Sequence, residues 1–216
     1  MRKIVFTAIF ILSITTVYGQ KLRLGVCLNP HFDWFSENSD LMKSNGSRIG
    51  IEGGLVIENY FAKNYAFLTG IRLGTYGGRM VYNDSITFIT DEKEKEVPPG
   101  PEVIYKLQYI SVPLALKLKT NQMGYLSYFA QLGFTPQINI SAKADSPPAL
   151  NNDGANKEVG LFALSYHFGG GLEYGVGGNT AIVIAVLYNN GFLDILTKQP
   201  GKESLNYLTI HVGVMF

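Results

Sequence analysis

His167 and His211 are the first candidates for chemistry, because two imidazoles held on one surface can bind a metal. No third ligand accompanies them. The single Cys27 can form no internal disulfide, and no CxxC or Cys/His cluster has zinc spacing, so no metal and no cofactor is expected. Ser165, His167 and Glu173 supply the types needed for a nucleophile, a base and an orienting acid. Three residues of a single extended segment at this spacing do not converge on one reacting atom, so no catalytic residue is assigned. A larger set remains: Arg23, Arg48, Glu52, Glu58, Arg72, Lys117, Gln131, His167, Glu173 and His211 recur on the glycine-bearing side of segments whose other side is apolar.

Those segments have the period of two that marks a β-strand. Leu22, Leu24, Val26 and Leu28 alternate with Arg23, Gly25, Cys27 and Asn29. A polar, aromatic-containing loop is expected from Pro30 through Trp34, Glu37, Asp40 and Asn45. Ile49, Ile51, Leu55 and Ile57 then oppose Arg48, Gly50, Glu52 and Glu58. A third strand runs from Tyr65 to about Tyr82. An excursion over 83–103 carries the charge run Asp91 to Glu96 and a proline cluster. In the fourth strand Ile110, Val112, Leu114, Leu116 and Leu118 share a face, and Tyr105, Leu107 and Tyr109 fall out of phase with it. A bulge near Tyr109 would reconcile the two halves, and Pro113 leaves one rung of the ladder unmade. Three further strands follow, near 126–135, 162–174 and 180–188. The last, Leu205 to Phe216, sets Leu208, Ile210, Val212, Val214 and Phe216 against Tyr207, Thr209, His211, Gly213 and Met215.

About eight strands result, joined by long and short connections in strict alternation. A soluble sandwich has no reason to put every long loop at one end, whereas an outer-membrane barrel has short periplasmic turns and long external loops. The fold expected is all-β: an eight-stranded antiparallel up-and-down transmembrane β-barrel. Closure is required, since an open strand edge in lipid leaves backbone groups unpaired. Two aromatic girdles are expected, Tyr60, Phe61, Tyr65, Tyr125, Tyr174 and Phe216 at the short-turn end and Tyr76, Tyr105, Tyr109, Phe162, Tyr188 and Tyr207 at the loop end.

The N-terminus fits export. Arg2 and Lys3 precede an apolar stretch from Ile4 to Val17, and Val17-Tyr18-Gly19 offers small residues for cleavage before Gln20. Residues 1–19 are read as a signal peptide and 20–216 as the barrel domain. The apolar run falls short of the ~20 residues that span a bilayer, which disfavours a membrane anchor. Removing Arg2 and Lys3 leaves 16 basic residues against 17 acidic ones, so nucleic-acid binding has no electrostatic basis.

The amphipathic last strand with its terminal Phe216 resembles the closing strand of bacterial outer-membrane barrels. That resemblance implies that Tyr207, Ile210, Val212, Val214 and Phe216 form the signal read by the outer-membrane assembly machinery. A narrower resemblance rests on five motifs: the signal ending in Gly19-Gln20, Tyr109-Ile110-Ser111-Val112-Pro113-Leu114, Gly133-Phe134-Thr135-Pro136, Gly169-Gly170-Gly171-Leu172-Glu173-Tyr174-Gly175, and Tyr188-Asn189-Asn190-Gly191-Phe192-Leu193-Asp194-Ile195. Together they look like the PorT-like outer-membrane β-barrel family of Bacteroidetes-type bacteria. Similar proteins often carry an arginine just before the tyrosine of strand seven, where this chain has Leu187. The resemblance implies a non-enzymatic barrel in the outer membrane, surrounded by its lipid, supporting protein secretion or outer-membrane assembly with a secretion-system or surface protein as partner.

The polar set should then fill the interior as a plug, because an eight-stranded barrel is just filled by side chains. Strand directions place Arg23 at the depth of Glu58, and Arg72 near Glu52. Phe32, Trp34 and Phe35 are candidate partner contacts in the first loop. Two other classes stand beside this one. A soluble, periplasmic, lipocalin-like barrel requires the leucine and isoleucine faces to point inward. A lipid A-modifying outer-membrane hydrolase requires Ser165, His167 and Glu173 to work together. Oligomeric state is not specified by the sequence.

Overall fold

The computed structural model describes residues 21–37, 42–197 and 203–216. The segment expected as a signal peptide, 1–19, lies outside the described residues, as does Asp40 of the first loop. Thirteen strands are present among the described residues: β1 (Lys21–Glu37), β2 (Met42–Ser44), β3 (Arg48–Ala62), β4 (Tyr65–Tyr82), β5 (Ile86–Ile89), β6 (Glu94–Val97), β7 (Glu102–Ser111), β8 (Leu114–Lys119), β9 (Leu126–Ser146), β10 (Leu150–Gly154), β11 (Phe162–Gly177), β12 (Thr180–Gly191) and β13 (Glu203–Met215).

Eight staves close into a ring, with β7 and β8 together forming one of them. Every neighbour pairing is antiparallel, and β1 closes the ring by pairing with β3 on one side and β13 on the other. Three short turns and both described ends lie at one rim. The turn between β11 and β12 has two residues, and Gly178 adopts φ +59° there, a conformation that costs glycine nothing. The four long connections lie at the opposite rim, where β2, β5, β6 and β10 belong to them.

The alternation of side chains sorts the chain into two environments. Along β1 the exposures run from 59% at Leu22 to 56% at Leu28, and comparable apolar positions continue around the outer wall, such as Leu55, Ile71, Leu132 and Ile184. A contiguous surface of this kind is far larger than a water-facing monomer carries. The intervening residues point inward and are buried.

Three expectations need correction. First, β1 does not end at Asn29. Its alternation continues through Pro30 to Glu37, so Phe32 and Trp34 lie on a strand and Phe35 is inside at 1% exposure. Proline misled the reading, although a missing N–H interrupts only one rung. Second, the fourth stave does not change phase. Tyr105, Leu107 and Tyr109 simply face inward, and the bulge lies in the register of β7 with β9, where Gln108 pairs with Ser141 and Tyr109 with Asn139. The extra residue is Ile140 of β9. The stave is interrupted at Val112-Pro113, between β7 and β8.

Third, Tyr76, Tyr105, Tyr109 and Tyr207 are not girdle residues but interior ones, and Tyr60 leans inward to donate its hydroxyl to Glu58 at 3.0 Å. Of the expected loop-end set, Phe162 is exposed on the outer wall and Tyr188 pairs there with Trp34 and Phe168, while Tyr166 pairs with Phe192, ring centroids 5.0–6.2 Å apart within each pair. At the short-turn rim Phe61 and Tyr65, and Tyr125 and Tyr174, form corresponding pairs.

One part of the wall is held by side chains. The ladder of β3 with β4 reaches only Ile51 and Thr75, and β2 resumes it at Met80. Between them the Gly77 amide donates to the Asp33 carboxylate at 3.0 Å, and Arg48 donates to the Tyr76 carbonyl at 2.8 Å. These groups replace rungs that would otherwise be missing. Asp33→Ala is expected to leave the Gly77 amide unpartnered, costing ~1–3 kcal/mol, and to accelerate hydrogen exchange at residues 77–79. Unchanged exchange there would show that the gap closes by other means.

Candidate functional site

The interior is stacked in tiers, each assembled from several strands. At the short-turn end Glu173 of β11 accepts hydrogen bonds from Arg23 of β1 at 3.1 Å and from Lys117 and Lys119 of β8. Lys117 also reaches Glu58 of β3 at 2.5 Å and lies over the Phe129 ring, 4.1 Å from its centroid. Arg23 is 3.5 Å from Glu58, its cross-strand partner. Three cations and two carboxylates thus interlock; Lys117 and Glu58 are each 1% accessible, and Lys119 at the edge is partly exposed. Below them a vestibule of about 760 Å³ opens between the short turns, floored by Arg23, Lys119 and Glu173.

The next tier centres on Glu52. It accepts from Arg72 at 3.2 Å, Asn29 at 2.8 Å and the Tyr76 hydroxyl at 2.5 Å. His167 stands across the lumen, bonded to Gln131 and Thr135 at 3.0 Å each. His31 contacts Asp33 through Nδ1 and stacks on Tyr76 at 4.5 Å. His211 is buried with Nδ1 unpartnered. Arg48 is only half-buried and works at the wall.

The three residues of the hydrolase alternative are engaged separately. Ser165 meets the Tyr207 hydroxyl at 3.3 Å, His167 bonds to Gln131 and Thr135, and Glu173 lies in the lowest tier. No nucleophile–base contact forms. Among the described residues no three His, Cys, Asp or Glu side chains gather at metal-binding distance.

Above Tyr76 the interior becomes apolar. Phe35, Met80, Tyr82, Tyr105 and Leu107 continue directly into residues of all four long connections: Met42, Phe88 and Val97, Leu150 and Val159, and Ile195 and Leu196. The loops share one hydrophobic core and form a cap. Polar ties bind its parts: Asp91 accepts from the Asn156 amide and side chain, Glu158 accepts from the Ile89 amide at 2.7 Å, and Lys95 pairs with Asp153 at 2.6 Å. The charge run Asp91 to Glu96 therefore supplies, through Asp91 and Lys95, a clasp between the second and third connections.

The hydrogen bond from Lys95 holds the Asp153 carboxyl below its ordinary value. A depressed carboxylate pKa contributes stability above the unfolded value and loses it as pH falls through the folded one. Proteolytic nicking of the cap is thus expected to stay constant at neutral and mildly acidic pH and to rise only below about pH 4. A rise already at neutral pH on Lys95→Gln would place the clasp's contribution in this pair.

Residues missed from sequence include His31, Asp33, Lys119 and Tyr76. The first two continue the odd-numbered alternation of β1 past Pro30, and extending that period would have found them. Tyr76 reads as a girdle aromatic from sequence, because nothing local distinguishes an inward tyrosine from a lipid-facing one.

A closed antiparallel ring with an apolar outer wall, paired aromatics at both rims and an interior filled by buried side chains is an integral β-barrel of the outer-membrane type. The chain belongs to the family described as Outer membrane protein beta-barrel domain, which matches residues 18–197. It is a protein of the bacterial outer membrane. Among solved structures it is similar to Neisserial surface protein A (NspA), with TM-score 0.52 and 11% identity over 91% of this chain and 97% of that one. Similarity to OprG from Pseudomonas aeruginosa (TM-score 0.43, 11% identity, 92% and 96% covered) and to Ail of Yersinia pestis (0.42, 15%, 91% and 99%) is weaker. No curated protein sequence matches this chain significantly.

Proposed function

We propose that this barrel is non-enzymatic and works as a sealed, membrane-anchored platform whose external cap engages a protein partner in secretion or outer-membrane assembly. The observation that carries this reading is the shared core of the four long connections, which gives the cap one fixed outer surface. A preorganised surface loses little entropy on binding. The interior tiers, from Glu173 through Glu52 to Tyr105, leave the lumen occupied by buried side chains, which favours a scaffold over a pore. The PorT-like resemblance motivates the secretion role. The strand Tyr207 to Phe216 serves on this reading as the recognition signal for barrel assembly, following cleavage of residues 1–19.

Phe32, Trp34 and Phe35 do not serve as cap contacts here. Phe35 is buried, Trp34 packs 6.2 Å from Tyr188, and Phe32 is on the outer wall. The test is site-specific photo-crosslinking from exposed cap positions such as Glu92 and Asn151 in intact cells, with gel mobility with and without boiling as a fold control. Capture of a discrete protein partner at these positions, and not from the barrel wall, is the expected result. In planar bilayers the purified barrel should show no steady conductance; a stable open channel would favour a transport role instead.

A further inference from the structure

On the outer wall, three adjacent staves pass from apolar through uncharged polar to basic residues toward the long-loop rim. Leu73, Ile110 and Ile138 face outward at one level. Above them Thr75 pairs with Gln108, and Gln108 with Ser141. One tier higher, about 7 Å along the strands, Lys106 stands directly opposite Lys143, with Arg48 beside them across Gly77. These residues line a groove of about 310 Å³ whose upper lip is Asn152, in the left-handed region at φ +53°.

Like charges directly opposed on neighbouring strands are destabilising. Their local counter-charges are incomplete. Lys106 lies 3.3 Å from Asp145 and donates to Asn152 at 3.1 Å, and Arg48 faces Asp33, its register partner. Lys143 is exposed and has no acidic partner among the described residues. An opposed lysine pair in a groove, two tiers above the apolar level of Leu73, Ile110 and Ile138 and at the rim that carries the long loops, sits where the headgroups of the outer leaflet lie. Lysine stems can rest on the apolar wall while their ammonium groups reach the phosphate level.

The geometry points to a specific site for a phosphorylated glycolipid of the outer leaflet, with Lys106 and Lys143 clamping one phosphate and Arg48 and Asn152 bordering it. The acyl chains would descend along Leu73, Ile110 and Ile138. This rests on the outer-membrane orientation, long loops outward, adopted above. Phosphate is the fitting ligand because two ammonium groups and a guanidinium supply charge-assisted donors to its oxygens.

The experiment is a titration of the purified, folded barrel in detergent with a phosphorylated glucosamine-disaccharide lipid, read by native mass spectrometry. Its dephosphorylated form and inorganic phosphate serve as comparison ligands. Lys106→Gln/Lys143→Gln is expected to weaken lipid binding by about ten-fold or more, while Lys43→Gln, at an exposed lysine of β2, leaves it unchanged. Equal binding by the double variant, or of the dephosphorylated lipid, would overturn the site. Full displacement by inorganic phosphate would overturn the assignment to lipid. Heat-dependent gel mobility is recorded for each protein first: its absence in the unmodified chain would refute the barrel itself, an outcome separate from loss of lipid binding in a barrel that shifts normally.

Discussion

Glu173→Gln is expected to cost the folded barrel about 3–5 kcal/mol, the penalty for breaking a buried ion pair by removing one partner. The magnitude follows from what is left behind. Arg23, Lys117 and Lys119 all direct donors at this carboxylate; Glu58 would then remain for Arg23 and Lys117, and Lys119 would lose its carboxylate partner. Glutamine keeps the size and one acceptor oxygen but removes the charge. The comparison is the half-exposed pair of Lys106 and Asp145, whose loss should cost no more than ~1 kcal/mol because water screens it.

A second substitution separates charge imbalance from lost hydrogen bonding. Glu173→Gln/Lys117→Met removes one cation with the carboxylate and leaves an apolar side chain over Phe129, so part of the loss should be recovered. Urea unfolding from lipid vesicles, followed by the heat-dependent mobility of the folded form, reads both effects. A Glu173→Gln midpoint equal to that of the unmodified barrel would mean that water already solvates this tier and that the buried network is not what closes the lumen's lower end.

The wall of the barrel could be read from sequence because its information is local. Leucine and isoleucine at alternate positions, glycine or charge between them and a length limit on each strand were enough to place the staves and orient them. The strand register also carries Arg23 to Glu58 and Gly54 to Arg72, so proximity of some lumen charges follows from counting residues along antiparallel neighbours. The interior's upper half was illegible for the opposite reason. Tyr76, Tyr105 and Tyr109 are apolar-plus-hydroxyl residues that suit a girdle as well as a core, and only the meeting of four distant connections above them makes the inside of the barrel hydrophobic there. Periodicity says which residues share a face; it does not say which face is wet.

That mixed interior bears on function. Side chains already fill the lumen of a barrel this narrow, and an apolar cap continuous with the upper lumen further excludes water from one end. The external loops then have two faces, an inner one committed to packing and an outer one left exposed, the surface on which the proposed partner would dock. Asp91 illustrates the division, since its carboxylate is spent on Asn156 while neighbouring Glu92 remains exposed.

Gly171→Ala is expected to be more damaging than its single methyl suggests. A Cβ built at Gly171 would lie 2.1 Å from the Ile184 carbonyl oxygen and 2.5 Å from the Ala185 Cβ, both on the paired strand β12. Neither atom belongs to a flexible side chain, so relief requires separating β11 from β12. In an open sheet such a shift dissipates at the edge. In a closed ring it must be taken up by every other stave, or the ladder must break in lipid, where an unpaired backbone group is costly. The loss should therefore reach the top of the ~1–3 kcal/mol range for an overpacked core or exceed it, and a smaller fraction of the protein should reach the heat-modifiable form. Gly53→Ala is the matched control. Its Cβ would meet only the Cys27 carbonyl oxygen at 3.4 Å and the Leu28 Cδ1 at 3.5 Å, ordinary contacts, so the change should be neutral or stabilising by ~0.4–1 kcal/mol through the unfolded chain. Equal folding yields for the two variants would show that the ring absorbs a local expansion easily, and the inward glycines of β11 would then need a reason other than the close approach of the two strands.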